Sequence, residues 1–331
     1  TLLSALNRIE TLSHSYAASA RIHFLRNVTI EGVEPFLKYY LVQSDINPTI
    51  TFGGYDTVQQ ELLDTQSPLH RESIDVLVLS LFLEPLAPDY KMPRWKADDV
   101  LEKLGQIFNQ AINTTQSLIV VNTFLSPLYS ESGIASASLL DNKTAQVERL
   151  NQFIRAFVQS HAAQFFLIHS ERLLCLVGET DSVDYRFWYL SKSPFKKMFL
   201  NLYALELAKI IRALKGKAKK VLVLDCDNTL WGGIIGEDGL SGIQLGIDQY
   251  PDVIFYEFQQ TILQLIKRGI LVALCSKNNE AEVWDVLEHH PKCLLKRSHL
   301  ASWRINWEDK ISNIQSLSEE LNLGLDSMVF V

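Results

Sequence analysis

The chain is poor in the features that would place it outside the ordinary globular proteins. Its four cysteines, at 175, 226, 275 and 293, show no paired spacing, which suits a reducing cytoplasm better than a disulfide framework. It has only 15 glycines and 10 prolines against 47% hydrophobic residues, so disorder is a poor description. No apolar stretch approaches the ~20 residues of a membrane helix, and no charged-then-apolar leader opens the chain. The formal charge of -7 speaks against a nucleic-acid partner, and no lysine or arginine run changes that view. The first residue is Thr1 and not Met, which leads us to expect a chain that begins inside a longer one.

What is present is alternation. A length of 331 residues suggests two domains at about 150 residues each. In the first half, Arg21 to Leu25, Thr49 to Phe52, Asp75 to Leu81, Leu118 to Val121 and Phe165 to His169 read as short strands. Between them lie the amphipathic segments Glu31 to Gln43, Thr57 to Asp64, Ala97 to Thr114 and Asp141 to Ala162. In the third, Val100, Leu101, Leu104, Ile107, Phe108 and Ile112 recur three and four apart, as one helical face requires. This order predicts a parallel, doubly wound α/β sheet. The turn-rich loop Ser191 to Lys197 and the helix Met198 to Leu214 after it place the domain boundary near 190 to 198, dividing the chain into 1–192 and 193–331. The second half restarts the pattern with strands at Val221 to Leu224, Ile270 to Cys275 and Met328 to Val331, and helices at Val253 to Arg268, Glu280 to His289 and Trp307 to Leu323.

The most informative segment is the run Val221-Leu222-Val223-Leu224, which ends in Asp225-Cys226-Asp227-Asn228-Thr229. A buried strand that ends in acidic residues delivers them to the carboxyl edge of a parallel sheet, where α/β folds place ligands. A lone pair of aspartates two apart is usually a solvated turn, so the companions matter. The glycine-rich stretch Trp231 to Gly236 lets backbone amides approach an anion, or merely permits a tight hairpin. Ser276 ends the next strand in Cys275-Ser276-Lys277-Asn278, and by itself reads equally as a helix cap. Lys310 closes Asn306-Trp307-Glu308-Asp309-Lys310, and by itself reads as a surface charge. Their joint order behind Asp225 singles them out.

An aspartate, a strand-terminal serine and a later lysine on an α/β frame resemble the haloacid dehalogenase superfamily. Within it, the strings Leu224 to Gly233, Ile235 to Gly239, Cys275 to Asn278 and Asn306 to Lys310 resemble the FkbH-like family. The resemblance implies a Rossmann-like second domain with an aspartyl-phosphate mechanism. Asp225 would be the nucleophile and Asp227 the acid/base, while Thr229, Ser276 and Lys310 would hold the phosphate. It also implies Mg2+, held by the Asp225 carboxylate and the Asp227 main-chain carbonyl. The family's fourth, acidic motif would follow Val331, where the sequence stops, so the second domain is expected to be truncated there. In this family a glyceryl unit passes from 1,3-bisphosphoglycerate, a small phosphorylated substrate, to an acyl carrier protein through a cysteine thioester. Cys226 is the thiol so implied, although strand alternation reads the same residue as core filler.

The opening strand with Asn27 and Thr29, and the turn Gly53-Gly54-Tyr55, resemble an SGNH-hydrolase-like region with a flavodoxin-like sheet. Here the block that should carry a serine has none, Ser80 to Glu84 lacks the asparagine, and Phe187 stands where a histidine is required. Without an imidazole base a hydroxyl is poorly activated, so no working esterase is expected. Asn122, Thr123 and Ser126 remain as polar groups at a crevice edge, candidates for contacting acyl substrate, carrier protein or the second domain.

Overall fold

The computed structural model describes residues 16–92, 95–129, 133 and 142–331. Contacts divide the chain into two compact units, Thr1–Gly216 and Lys217–Val331. Among the described residues no helix is long and apolar enough to cross a membrane.

The first unit holds β1 (Ala18–Arg26), β2 (Ile46–Tyr55), β3 (Val76–Ser80), β4 (Leu118–Asn122) and β5 (Phe165–Ile168), paired in parallel in the order β2-β1-β3-β4-β5. That is the flavodoxin-like order. Successive side chains of a strand face opposite ways, and two cores result. Ile22, Phe24, Val76 and Val78 pack with α1 (Glu34–Val42) on one face. Leu25, Leu77 and Leu79 pack with α2 (Asp98–Thr114) and α3 (Lys143–Ser160) on the other. The sequence reading began α3 at Asp141, which lies outside the described residues.

The boundary expected near 190 to 198 falls instead after Gly216. Helix α4 (Lys197–Leu214) buries Phe199, Tyr203, Leu207 and Ile211 in the same core as Ile22 and Phe24, so its apolar face belongs to the first sheet. The loop before it is no linker. The amide of Lys196 donates to the Ser182 carbonyl at 2.8 Å, and Thr29 donates to Lys192 at 2.8 Å.

The second unit contains β6 (Val221–Leu224), β7 (Leu271–Ser276), β8 (Ser302–Ile305) and β9 (Met328–Phe330), parallel in the order β8-β7-β6-β9. Leu224, Val272 and Leu274 pack with α6 (Asp252–Lys267) and α7 (Glu280–His289), the latter through Val283, Val286 and Leu287. Val221, Val223, Ala273 and Cys275 pack with Leu317 of α8 (Lys310–Glu320) on the opposite face. The helix α5 (Ile235–Gly242), kinked at Gly239 where φ is 68°, joins the end of β6 to this body. Because the chain passes from β6 outward to β7 and β8 and returns beside β6 as β9, the order reverses at β6. Its carboxyl end is therefore the crevice position of an open α/β sheet.

Candidate active site

The geometry at that crevice centres on Asp225, the first residue beyond β6. Its amide donates to the Val331 carbonyl at 2.9 Å, which holds the backbone in line with β9. Its carboxylate is met from three segments far apart in sequence. The Ser276 hydroxyl, at the tip of β7, donates to Oδ1 at 2.6 Å, and the amide of Cys226 donates to the same oxygen at 2.8 Å. The Lys310 ammonium, on the first residue of α8, pairs with Oδ2. A further donor stands behind: Asn278 Nδ2, itself buried, donates to Ser276 Oγ at 3.0 Å and so orients that hydroxyl.

Lys310 reaches Asp225 because the helix begins later than its sequence pattern suggests. Asp309 is the cap, its Oδ2 accepting from Ile311 and Ser312 at 3.0 and 3.1 Å. Asn306 and Asn313 exchange side-chain hydrogen bonds at 3.2 and 2.8 Å, which anchors the preceding turn to the helix.

Asp227 lies on the same turn. Its Oδ1 accepts from the Trp231 indole at 3.0 Å and from the Ile235 amide at 3.1 Å. Among the described residues no donor is assigned to its Oδ2. Thr229 is half-buried, and its amide donates to the Cys226 carbonyl at 3.2 Å. The hydroxyl has no assigned partner among the described residues, so the orienting element here is the backbone turn.

Cys226, between the two acids, is a core residue. It is fully buried, in one apolar cluster with Leu224, Leu230 and Trp231. Burial pushes its thiol well above the ordinary range, with Asp225 and Asp227 adding to the shift and Ser276 and Lys310 opposing it. Of the two readings of this residue, the structure shows the packing one: a thiol sealed from solvent is no exposed acyl acceptor.

Of the two readings of the glycine-rich turn, the hairpin is the one observed, and the four amides from 232 to 235 have acceptors within the protein. Gly232 donates to the Gln244 carbonyl at 3.0 Å, Gly233 to Asn228 Oδ1 at 3.0 Å, Ile234 to Asp238 Oδ2 at 2.8 Å and Ile235 to Asp227 Oδ1 at 3.1 Å. Gln244 donates back to Gly232 at 2.8 Å, which closes a small hairpin. Gly233 is required there, because φ is 91° and a Cβ would collide with the Asp238 carboxylate.

In the first unit the polar residues at the sheet edge serve the fold. Asn27 clamps Phe82, accepting from its amide at 2.6 Å and donating to its carbonyl at 2.9 Å. Asn122 does the same to Leu81, at 3.1 and 2.9 Å. Thr123 accepts from the Ser170 amide at 2.9 Å, Ser126 donates to Glu171 at 2.6 Å, and Thr29 donates to the Ser191 carbonyl at 2.9 Å. The Gly54 amide is taken by Glu61 at 2.6 Å. Glu84 accepts from the Trp188 indole at 2.7 Å, and Phe187 is exposed. No nucleophile and base are brought together among them.

Sequence reasoning did not single out Trp231 as a partner of Asp227, nor Asn278 as one of Ser276. The only signal was position, each lying within a few residues of an acid or hydroxyl already chosen.

No family model matches the chain, and no curated protein does. Among solved structures, the N-terminal part of the protein BF1531 from Bacteroides fragilis, which contains a phosphatase domain and is complexed with Mg, superposes with a TM-score of 0.85. The two are 24% identical, over 100% of this chain and 88% of that one, and share a fold. A GDSL-like lipase from Bacteroides thetaiotaomicron is 12% identical over 65% of this chain and 98% of its own, at a TM-score of 0.32, too slight to establish a common fold.

Proposed function

We propose that the second unit is a magnesium-dependent phosphohydrolase of the haloacid dehalogenase type, acting on a small phosphate ester or acyl phosphate. One observation carries the reading. Asp225, Ser276 and Lys310, from three separate segments, meet at the carboxyl end of β6 with the carboxylate between a hydroxyl and an ammonium. The whole-length likeness to a protein that contains a phosphatase domain and was crystallised with Mg supports it.

The donor set fits magnesium. Among the described residues no group of three or more His, Cys, Asp or Glu side chains is placed to hold a metal. The resemblance to the haloacid dehalogenase superfamily implies that a cation here would be held by the Asp225 carboxylate and the Asp227 main-chain carbonyl, completed by water and phosphate oxygens. That is the pattern of Mg2+, a hard cation bound through one or two carboxylates and its substrate. When bound, it would supply neutralisation of charge on the transferring phosphoryl group.

In the proposed reaction an Asp225 oxygen attacks phosphorus, and the bond from phosphorus to the leaving oxygen breaks. Asp227 gives its proton to that oxygen. It then takes a proton from a water molecule whose oxygen attacks the phosphorus of the aspartyl phosphate. The bond to Asp225 breaks, and inorganic phosphate and both carboxyl groups are restored. Ser276 and Lys310, which occupy the Asp225 oxygens in this structure, would turn to the phosphoryl oxygens. Glyceryl transfer to an acyl carrier protein through a Cys226 thioester is left out of the proposal, because the thiol lies in the core.

The test is phosphate release by the full chain from a panel of small phosphate monoesters and acetyl phosphate. Release should need Mg2+, stop on chelation, return on adding the ion, and fall to background in Asp225→Asn. An active Asp225→Asn protein would overturn the proposal.

A further inference from the structure

Trp231 stands two residues after Thr229, the last of the acidic motif, and its side chain is wholly buried. A buried indole must find a partner for its one N–H, which can only donate. Here it donates to Asp227 Oδ1 at 3.0 Å, and the Ile235 amide at the start of α5 donates to the same atom at 3.1 Å. The backbone that carries Trp231 is fixed in turn. Gly232 pairs both ways with Gln244, and it lies so close to Gln244 and Phe255 that no Cβ fits at 232.

Two donors on one oxygen have two consequences. They lock the carboxyl rotation, and they leave Oδ2, to which no donor is assigned among the described residues, as the oxygen open to a reacting group. We infer that Trp231 is the positioning residue for Asp227, holding Oδ1 so that the proton leaves from Oδ2. The inference rests on the proposed phosphoryl transfer. In that step the bond from phosphorus to the leaving oxygen breaks, its electron pair stays on that oxygen, and the proton moves there from Oδ2, leaving Asp227 as carboxylate.

A leaving group that is a poor anion needs this proton, and one that is a good anion does not. The experiment therefore compares an alkyl phosphate with p-nitrophenyl phosphate, using the full chain with Mg2+ and reading kcat/KM and single-turnover release of the alcohol or phenol, which end at departure of the leaving oxygen and so leave out the later water step that Asp227 serves for both esters alike. The variants are Trp231→Phe, Asp227→Asn, and a chain with benzothienylalanine at 231, which keeps the bicyclic shape and lacks the N–H. Asp227→Asn should lose about 10²–10⁴-fold on the alkyl ester, the usual worth of a general acid. Both Trp231 variants should lose at least about tenfold on the alkyl ester, within the ~10²-fold that a 1 Å misplacement costs, and less than about threefold on the aryl ester. Added to Asp227→Asn, either should change little more. An equal loss on both esters, or none, in the folded benzothienylalanine chain would overturn the role of Trp231 and leave the proposed reaction standing. A wild-type chain that hydrolyses neither ester, or an Asp227→Asn chain with no selective loss, would instead overturn the reaction and this inference with it.

Discussion

At the scale of single residues, the charge of Asp225 is answered by Lys310 and Ser276, neither of which is near it in sequence. Lys310→Met keeps most of the stem and removes the charge, so phosphate release should fall by about 10²–10³-fold, the worth of one donor aimed at developing charge. Lys310→Arg should fall less; steady-state kinetics on one aryl phosphate checks both. The burial of Cys226, Cys275 and Cys293 and the exposure of Cys175 give a second expectation. Intact mass after brief treatment of the native protein with a bulky maleimide should show one adduct, at Cys175, and four only after denaturation; rapid labelling of Cys226 would restore it as a candidate acyl carrier. The acids, the serine and the lysine were legible in the sequence because each stands at the end of an apolar run or at a helix start. Trp231 and Asn278 were not, because a hydrogen bond between side chains of one turn depends on how that turn closes.

A third expectation at this scale concerns pH. His23 is buried, and burial lowers its imidazole below the ordinary value of 6.5, with Glu61 and Glu72 opposing the shift. Below pH 6.5 the unfolded chain binds a proton that the folded one does not, so stability drops as pH falls from 6.5 toward the lowered folded value. The melting temperature should be lower at pH 5 than at pH 7 by a margin that shrinks in His23→Gln. An undiminished margin would contradict this account of His23.

At the scale of elements, the start of α8 decides where Lys310 stands. Asp309→Ala removes the oxygen that caps Ile311 and Ser312, and should cost about 1 kcal/mol in a denaturant titration while lowering activity through Lys310. Gly233→Ala should cost about 1–2 kcal/mol from its left-handed backbone alone, with the clash at Asp238 in addition. Strand β6 and helix α7 were readable to the residue, since an unbroken Val/Leu run and a regular apolar face each admit one period. Helix α5 was not, because Gly236, Gly239 and Gly242 count against a helix, and it is held instead by the bond from the Ile235 amide to Asp227 and by the packing of Ile235 and Leu240 on the core. Strand β8 escaped because it has four residues and carries Arg304.

At the scale of the whole molecule, the chain is two α/β units, each with a parallel sheet covered on both faces. The alternation of strands and helices made that class legible from the sequence. The boundary was misread, since the amphipathic pattern of α4 shows that it needs a sheet and not which sheet. Limited trypsin digestion should cut first in the run Lys217 to Lys220, and early cleavage within α4 would contradict the boundary after Gly216.

The claim on which the functional account turns is that Asp225 takes the phosphoryl group. Mixing the full chain with excess substrate and Mg2+, quenching in acid within the first turnovers and mapping peptides by mass spectrometry reads this directly. The account requires a phosphoryl adduct on Asp225 that is absent from Asp225→Asn; turnover with the adduct on another residue, or persisting in Asp225→Asn, would contradict it.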